Sequence, residues 1–139
     1  MKRFLIYLWQ LPQNLLGLLM LIGRKEKVNY FCYDDELITV YYKPCFRAGV
    51  SLGNYIILDP AYRSYFDLIN TINHEHGHQK QSRYLGWLYL LVIGLPSALG
   101  NLWDRLAHIP YWTDEERKEW YYSQPWEAWA DILGGVKRC

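Results

Sequence analysis

The chain has 139 residues, the length of one domain, and 51% of them are hydrophobic. Together with 17% aromatic residues, this apolar content is enough to offset chain entropy, which excludes intrinsic disorder, collagen and coiled coils. Fifteen Lys and Arg against 14 Asp and Glu leave a formal charge of +1, so nucleic acid is not an expected partner.

The cysteines Cys32, Cys45 and Cys139 have no metal-ligand spacing and are too few for a disulfide scaffold. A Cys32–Cys45 disulfide is one alternative. Buried thiols in a reducing compartment are the favoured one, which suggests a domain that faces the cytoplasm.

Residues 4–23 form an uncharged segment with basic residues on both sides. A proline and three amide side chains at residues 10–14 argue against a secretory signal and against a membrane-spanning helix. Two alternatives remain open for residues 1–24. The segment is either an interfacial helix, with Trp9 and Tyr7 at the headgroups of a membrane, or a helix packed on the domain core.

The following region is rich in Val, Ile, Tyr and Phe, which predicts a short antiparallel sheet. The predicted strands are Val28–Tyr33, Leu37–Tyr42 and Ser51–Leu58, with a turn at Asp34-Asp35. Asp59-Pro60 then has the pattern of a helix start.

Three-to-four-residue spacing of apolar side chains predicts an amphipathic helix over residues 64–83. Further along, Thr113 and Glu116 have the spacing of a capping box. A last helix is predicted over Trp126–Leu133, ended by Gly134-Gly135.

Residues 84–103 are uncharged and are long enough to span a bilayer. Gly94 and Pro96 break the segment, however, which favours a bent apolar hairpin whose two ends lie on the same side of any membrane.

The helix over residues 64–83 contains His74-Glu75-His76-Gly77-His78, an H-E-x-x-H motif. Residues four apart share a helix face, so His74 and His78 can bind one Zn²⁺, and Glu75 can act as general base toward a metal-bound water. The motif arises by chance in roughly one chain in 200 of this composition. His76 follows Ile72 by four residues and is expected in the core, and Gly77 would allow a close neighbour.

A third metal ligand must come from elsewhere in the chain. Cysteine is disfavoured because Cys139 is terminal and the other two lie in strand-like segments. Glu127 and Asp131 are four residues apart on the last predicted helix and share a face. We expect Glu127 to complete a His-His-Glu site, with Asp131 accepting a hydrogen bond from a ligating histidine.

An H-E-x-x-H helix followed by Glu-x-x-x-Asp on a second helix resembles the gluzincin metallopeptidases, in particular minimal single-domain ones. The resemblance implies a zincin-like α+β domain over residues 25–139. It also implies Zn²⁺ on His74, His78 and Glu127, Glu75 as the base and Asp131 orienting a histidine. It further implies a peptide or protein substrate, bound along an edge strand, here Ser51–Leu58.

The oxyanion stabiliser is not identified by a motif, and Tyr111, Tyr121, Tyr122 and His108 are candidates by position only. If residues 84–103 crossed a bilayer once, His78 and Glu127 would lie about 30 Å apart and could not share a metal ion. The expectation is therefore a membrane-associated zinc peptidase that faces the cytoplasm. The alternatives are a soluble cytoplasmic protein, a non-catalytic zinc-binding module, and a small membrane protein without enzymatic activity.

Overall fold

The computed structural model describes residues 1–44, 49–59 and 65–138, and for residues 65–67 the backbone alone. The described residues form six α-helices and a four-stranded mixed sheet, an α+β fold. The helices are α1 (Lys2–Trp9), α2 (Leu11–Met20), α3 (Tyr65–Leu85), α4 (Leu95–Ala107), α5 (Asp114–Ser123) and α6 (Pro125–Gly134). The strands are β1 (Glu26–Phe31), β2 (Leu37–Tyr42), β3 (Gly49–Leu52) and β4 (Tyr55–Leu58).

The sheet has the strand order β1-β2-β4-β3. The prediction of a wholly antiparallel sheet is wrong. The pairs β1–β2 and β3–β4 are antiparallel, but β2 and β4 are parallel, with Val40 opposite Ile56. The predicted single strand Ser51–Leu58 is in fact the larger part of a hairpin, because Gly53 adopts a positive φ of 62° and turns the chain. This hairpin places β3 at one edge of the sheet, and β1 lies at the other.

The core lies between the sheet and α3. Alternate residues of β2 point inward, including Ile38 and Val40, and they pack with Ile56 of β4 and Ile72 of α3. Each such side chain contributes about 1.5–3 kcal/mol when fully buried. Cys32 is a buried free thiol in this cluster, as expected, whereas Cys45 and Cys139 lie outside the described residues.

The N-terminal segment is two short helices that attach to the rest of the chain through the amides that interrupt it. Gln10, Gln13 and Asn14 are completely buried. Gln13 Nε2 donates to Ser82 Oγ (2.9 Å) and to the Gly86 carbonyl (2.8 Å), and Ser82 Oγ donates to Gln10 Oε1 (2.7 Å). The inner face of the segment is therefore packed on α3 by polar contacts.

Residues 84–103 bend, although not where the sequence suggested. The helical path turns at Gly86, which has a positive φ of 55°, and continues through a 3₁₀ turn and a π turn before α4. No single helix among the described residues has the length and hydropathy of a membrane span. Two consecutive stretches, Leu68–Leu88 and Leu90–Ala107, meet the criterion only as a pair bent by 117°.

The predicted helix signals in the second half are confirmed. Glu116 N donates to Thr113 Oγ1 and Thr113 N donates to Glu116 Oε2, which completes the capping box of α5. Helix α6 ends at Gly134 and is capped by Gly135, which is left-handed with a φ of 69°. Helix α3 continues to Leu85, and the predicted helix start at Asp59-Pro60 lies partly outside the described residues.

Glycines allow α3 and α6 to touch backbone to backbone. A Cβ at Gly77 would lie 1.9 Å from the Ala130 carbonyl oxygen, and one at Gly134 would lie 2.0 Å from the Asn73 carbonyl oxygen. The predicted close approach at Gly77 is thus confirmed. Together with the hydrogen bond from Gln81 Nε2 to the Trp126 carbonyl, these contacts show that the two helices run antiparallel.

Replacing Gly77 by Ala should separate α3 from α6, because a carbonyl on a packed backbone cannot move aside. We expect a loss of about 3 kcal/mol or more in the free energy of unfolding, measured by urea denaturation. The control is Gly94→Ala, where the nearest atom to the new Cβ would be a Leu90 side-chain carbon at 3.4 Å. That change should be neutral or slightly stabilising. Equal effects of both changes would contradict the packing argument.

Candidate metal centre

The packing of α6 on α3 brings the predicted ligands together. His74 and His78 lie one turn apart on α3, with ring centroids 4.7 Å from each other. The Nε2 atom of each is 3.0 Å from Glu127 Oε2. All three residues are buried, and their ligand atoms lie within 4.8 Å of one another.

The outer nitrogen of each histidine donates to an oxygen. His74 Nδ1 donates to Asp131 Oδ1 at 2.7 Å, and His78 Nδ1 donates to Gln81 Oε1 at 2.7 Å. The Gln81 amide is oriented for this role because its Nε2 donates to the Trp126 carbonyl. These bonds turn both Nε2 atoms toward Glu127, the arrangement that ligating histidines usually have.

Glu127 is held by a hydroxyl that sequence reasoning missed. Ser97 Oγ, near the start of α4, is 2.5 Å from Glu127 Oε1 and 2.9 Å from the hydroxyl of Tyr121. The bend before α4 therefore returns the apolar segment to the site. Ser97 is a hydroxyl in a segment that is otherwise almost wholly apolar, which is the signal that could have marked it.

Arg138 closes the outer side of the same group. Its guanidinium donates to both oxygens of Asp131, at 2.6 and 2.9 Å, and lies 3.3 Å from the centroid of the Tyr122 ring. Tyr122 in turn meets the ring of His74 edge to face at 5.2 Å. No pattern in the sequence links Arg138 to Asp131, seven residues earlier.

The electrostatics of the group favour ionised carboxylates. Burial alone would lower the pKa of His74, but hydrogen bonds to Asp131 and Glu127 outweigh it and raise that pKa to about 9. Burial alone would raise the pKa of Glu127, yet the hydrogen bonds from His74 and His78 hold it well below its usual range. Burial would also raise the pKa of Asp131, but hydrogen bonds from His74 and Arg138 lower it below its usual value.

The arrangement fits a zinc ion. Tetrahedral zinc with bonds of 2.0–2.1 Å separates its ligand atoms by about 3.3 Å, close to the 3.0 Å between Glu127 Oε2 and each histidine nitrogen. Two imidazoles and a carboxylate are a donor set that zinc takes at catalytic sites, and three protein ligands leave the fourth position open.

Glu75 is buried on α3 beside the edge strand. A Cβ at Gly49, the first residue of β3, would lie 2.9 Å from Glu75 Oε1, so a side chain there would press on the carboxylate. Its negative charge lies close enough to contribute to the raised pKa of His74, after the hydrogen bonds from that histidine to Asp131 and Glu127.

Two of the four candidate oxyanion residues lie elsewhere. His108 is paired with Asp104 and stacked on Trp112, and Tyr111 is largely exposed. Tyr121 and Tyr122 border the metal group through Ser97 and His74 respectively.

His76 is buried, as its spacing from Ile72 predicts, and it contacts a different set of residues from His74 and His78. It is fully buried, its Nδ1 is 3.1 Å from Gln79 Oε1, and its Nε2 lies 3.4–3.5 Å from Glu36 and Asp34. Lys80 and Arg83 already pair with these two carboxylates. His76, Glu36 and Asp34 are therefore a poor site for a cation.

Compared with protein-family models, with curated proteins and with solved structures, the chain gives no significant match.

The metal-free chain should lose stability as the pH rises from 6.5 to 9. The pKa of His74 is raised by folding, so its contribution is complete below pH 6.5 and is lost as the proton leaves near pH 9. The expected fall in the free energy of unfolding is up to about 3 kcal/mol, measured by urea denaturation in chelator. Asp131→Asn should reduce the pH dependence, and an unchanged stability across this range would contradict the assignment.

Proposed function

We propose that the chain is a zinc-dependent metallopeptidase of the gluzincin type, in which His74, His78 and Glu127 bind the metal. The observation that carries the proposal is the convergence of three buried ligand atoms, with an oxygen acceptor behind each histidine. A cluster that served folding alone would not need three ligand atoms turned toward one point, with each histidine oriented from behind.

The surrounding fold supports a zincin-like arrangement. Helix α3 carries the H-E-x-x-H motif along the sheet, β3 forms the edge of that sheet beside Glu75, and α6 brings Glu127 across α3. In this proposal Asp131 orients His74, and Arg138 keeps Asp131 ionised and fixed.

Hydrolysis of a peptide bond needs an activated water and a proton carrier. Zinc, when bound, lowers the pKa of a coordinated water and polarises the scissile carbonyl. Glu75 would take a proton from the water as its oxygen bonds to the carbonyl carbon, and would give that proton to the amine nitrogen as the C–N bond breaks. Burial beside the edge strand suits this role, because it keeps bulk water from competing for the carboxylate.

The Gly49 end of β3 is the proposed place for an extended substrate, because Ser51 and Leu52 at the other end are buried. The hydroxyl of Tyr89 donates to the Ser51 carbonyl at 3.1 Å, so this peptide group points away from β4. Because outward-facing peptide groups alternate along an antiparallel strand, Gly49 points outward as well, next to Glu75. A substrate strand that pairs at Gly49 would pass the proposed base.

Zinc binding tests the ligand set. The purified chain should hold about one zinc, measured by elemental analysis and by competition with a chelating dye. Glu127→Gln should weaken binding by at least about 100-fold, and Asp131→Asn by about 10–100-fold, because the second acts only through His74. Glu119→Gln, on an exposed position of α5, is the control. Equal affinities across the three variants would remove Glu127 from the site.

Glu75→Gln tests the reaction. This change keeps size and removes the proton acceptor, so cleavage of a mixed peptide library should fall by about 10²–10⁴-fold while zinc stays bound. Glu115→Gln, an exposed residue of α5, should leave cleavage unchanged. Cleavage that survives Glu75→Gln would overturn the role of Glu75. A wild-type chain that binds zinc but cleaves nothing would indicate a non-catalytic zinc-binding module.

A further inference from the structure

Helices α1 and α2 and residues 87–109 expose apolar side chains to an extent unusual for a water-soluble domain. Leu19, Leu91 and Leu106 are 63%, 66% and 72% exposed, and many of their neighbours are similarly open. We call the exposed apolar side chains of α1, α2 and residues 87–109 the outer apolar surface. Contiguous apolar surface of this kind marks an interaction site.

The polarity of these helices is inverted. On α4, Ser97 and Asp104 face inward, where Ser97 contacts Glu127 and Asp104 pairs with Arg117, while Leu99 and Leu106 face outward. The N-terminal pair follows the same rule, with its buried amides inside and leucines outside. A helix that faces water has the reverse arrangement, whereas a helix that faces lipid has this one.

Two tryptophans join the parts of the surface. Trp87 Nε1 donates to the Leu8 carbonyl at 2.9 Å, and Trp9 Nε1 donates to the Arg83 carbonyl at 3.0 Å. Both rings are more than half exposed although their polar atoms are paired. The outer apolar surface is therefore continuous between the N-terminal helices and the segment after α3, with aromatic rings of the type that concentrates at membrane interfaces.

The charges around the outer apolar surface indicate which partner covers it. Residues 4–23 and 84–103 contain no acidic or basic side chain. Exposed basic residues stand at both ends of the N-terminal pair, namely Lys2, Arg3, Arg24, Lys25 and Lys27. A second copy of the chain would present no carboxylate in these segments, whereas anionic headgroups complement the basic ends.

We propose that the outer apolar surface inserts into one leaflet of an anionic phospholipid bilayer. The helices α1 and α2 have 8 and 10 residues. They reach about 12 and 15 Å, or half of a hydrocarbon core of about 30 Å. Neither of these two helices is therefore long enough on its own to cross the bilayer, and both lie in the interface.

The insertion has a consequence for the substrate, which rests on the proposed peptidase function. Ser97 contacts Glu127 from the inner face of the helix whose outer face carries Leu99 and Leu106. The metal group is thus about one helix diameter from the lipid. The substrate class that fits is a polypeptide held at the membrane surface.

Flotation with vesicles tests the insertion without zinc or substrate, so its failure is separate from that of the peptidase proposal. The full chain should float with vesicles of phosphatidylcholine and phosphatidylglycerol (3:1), and several-fold less with phosphatidylcholine alone. The combined variant Leu99→Gln, Leu102→Gln, Leu106→Gln should partition at least tenfold more weakly. The matched control is Phe31→Gln, Leu37→Gln, Ile132→Gln, which changes three exposed apolar residues outside the surface and should bind within twofold of wild type.

Three results would overturn the proposal. The wild-type chain could stay unbound with both vesicle types, or the control variant could lose as much binding as the α4 variant. The third is a lipid-free dimer, detected by light scattering, that the α4 variant converts to a monomer, since a second copy would then cover the surface. Circular dichroism checks folding, and Leu106→Gln alone, expected to weaken binding measurably, replaces the triple variant if that fails to fold.

Discussion

The backbone contact between α3 and α6 is the constraint on which the site depends. Gly77 and Gly134 leave no room for a Cβ on either side of the crossing, so the two helices lie as close as their backbones allow. A glutamate and two histidines have short side chains, and they meet at one point only because the helices are this close. Glu127 Oε2 lies 3.0 Å from the Nε2 atoms of His74 and His78. The hydrogen bonds that the two rings donate to Asp131 and Gln81 then fix their orientation. A larger separation of the helices would break all of these contacts together.

A second feature connects the site with the rest of the molecule. Polar side chains of the apolar segments point inward and form hydrogen bonds. Ser97 bonds to Glu127, and the N-terminal amides bond to Ser82 and Gly86. The same turn leaves the leucines of these helices outside. The same orientation of these helices therefore places the Ser97 side chain against the candidate metal centre and apolar side chains on the outer apolar surface.

The sequence predicted the local features well. The four-residue spacings of His74 with His78 and of Glu127 with Asp131 are properties of a helix, so their shared faces could be read directly. Contacts between segments that are distant in the sequence could not be predicted in this way. Ser97 reaches Glu127 only through a bend that starts at Gly86, and Arg138 reaches Asp131 only through the chain reversal after Gly135. The parallel pairing of β2 with β4 is also non-local. The residues around Gly53 have high strand propensity, so the sequence predicts a continuous strand where the chain turns.

The most direct test of the account is X-ray absorption spectroscopy at the zinc edge on the full chain loaded with one equivalent of zinc. Bound by His74, His78 and Glu127, the metal should show only nitrogen and oxygen neighbours at about 2.0–2.1 Å, with outer scattering from two imidazole rings. A sulfur neighbour at about 2.3 Å, or a spectrum without imidazole scattering, would contradict the central claim that these three residues form a metal centre.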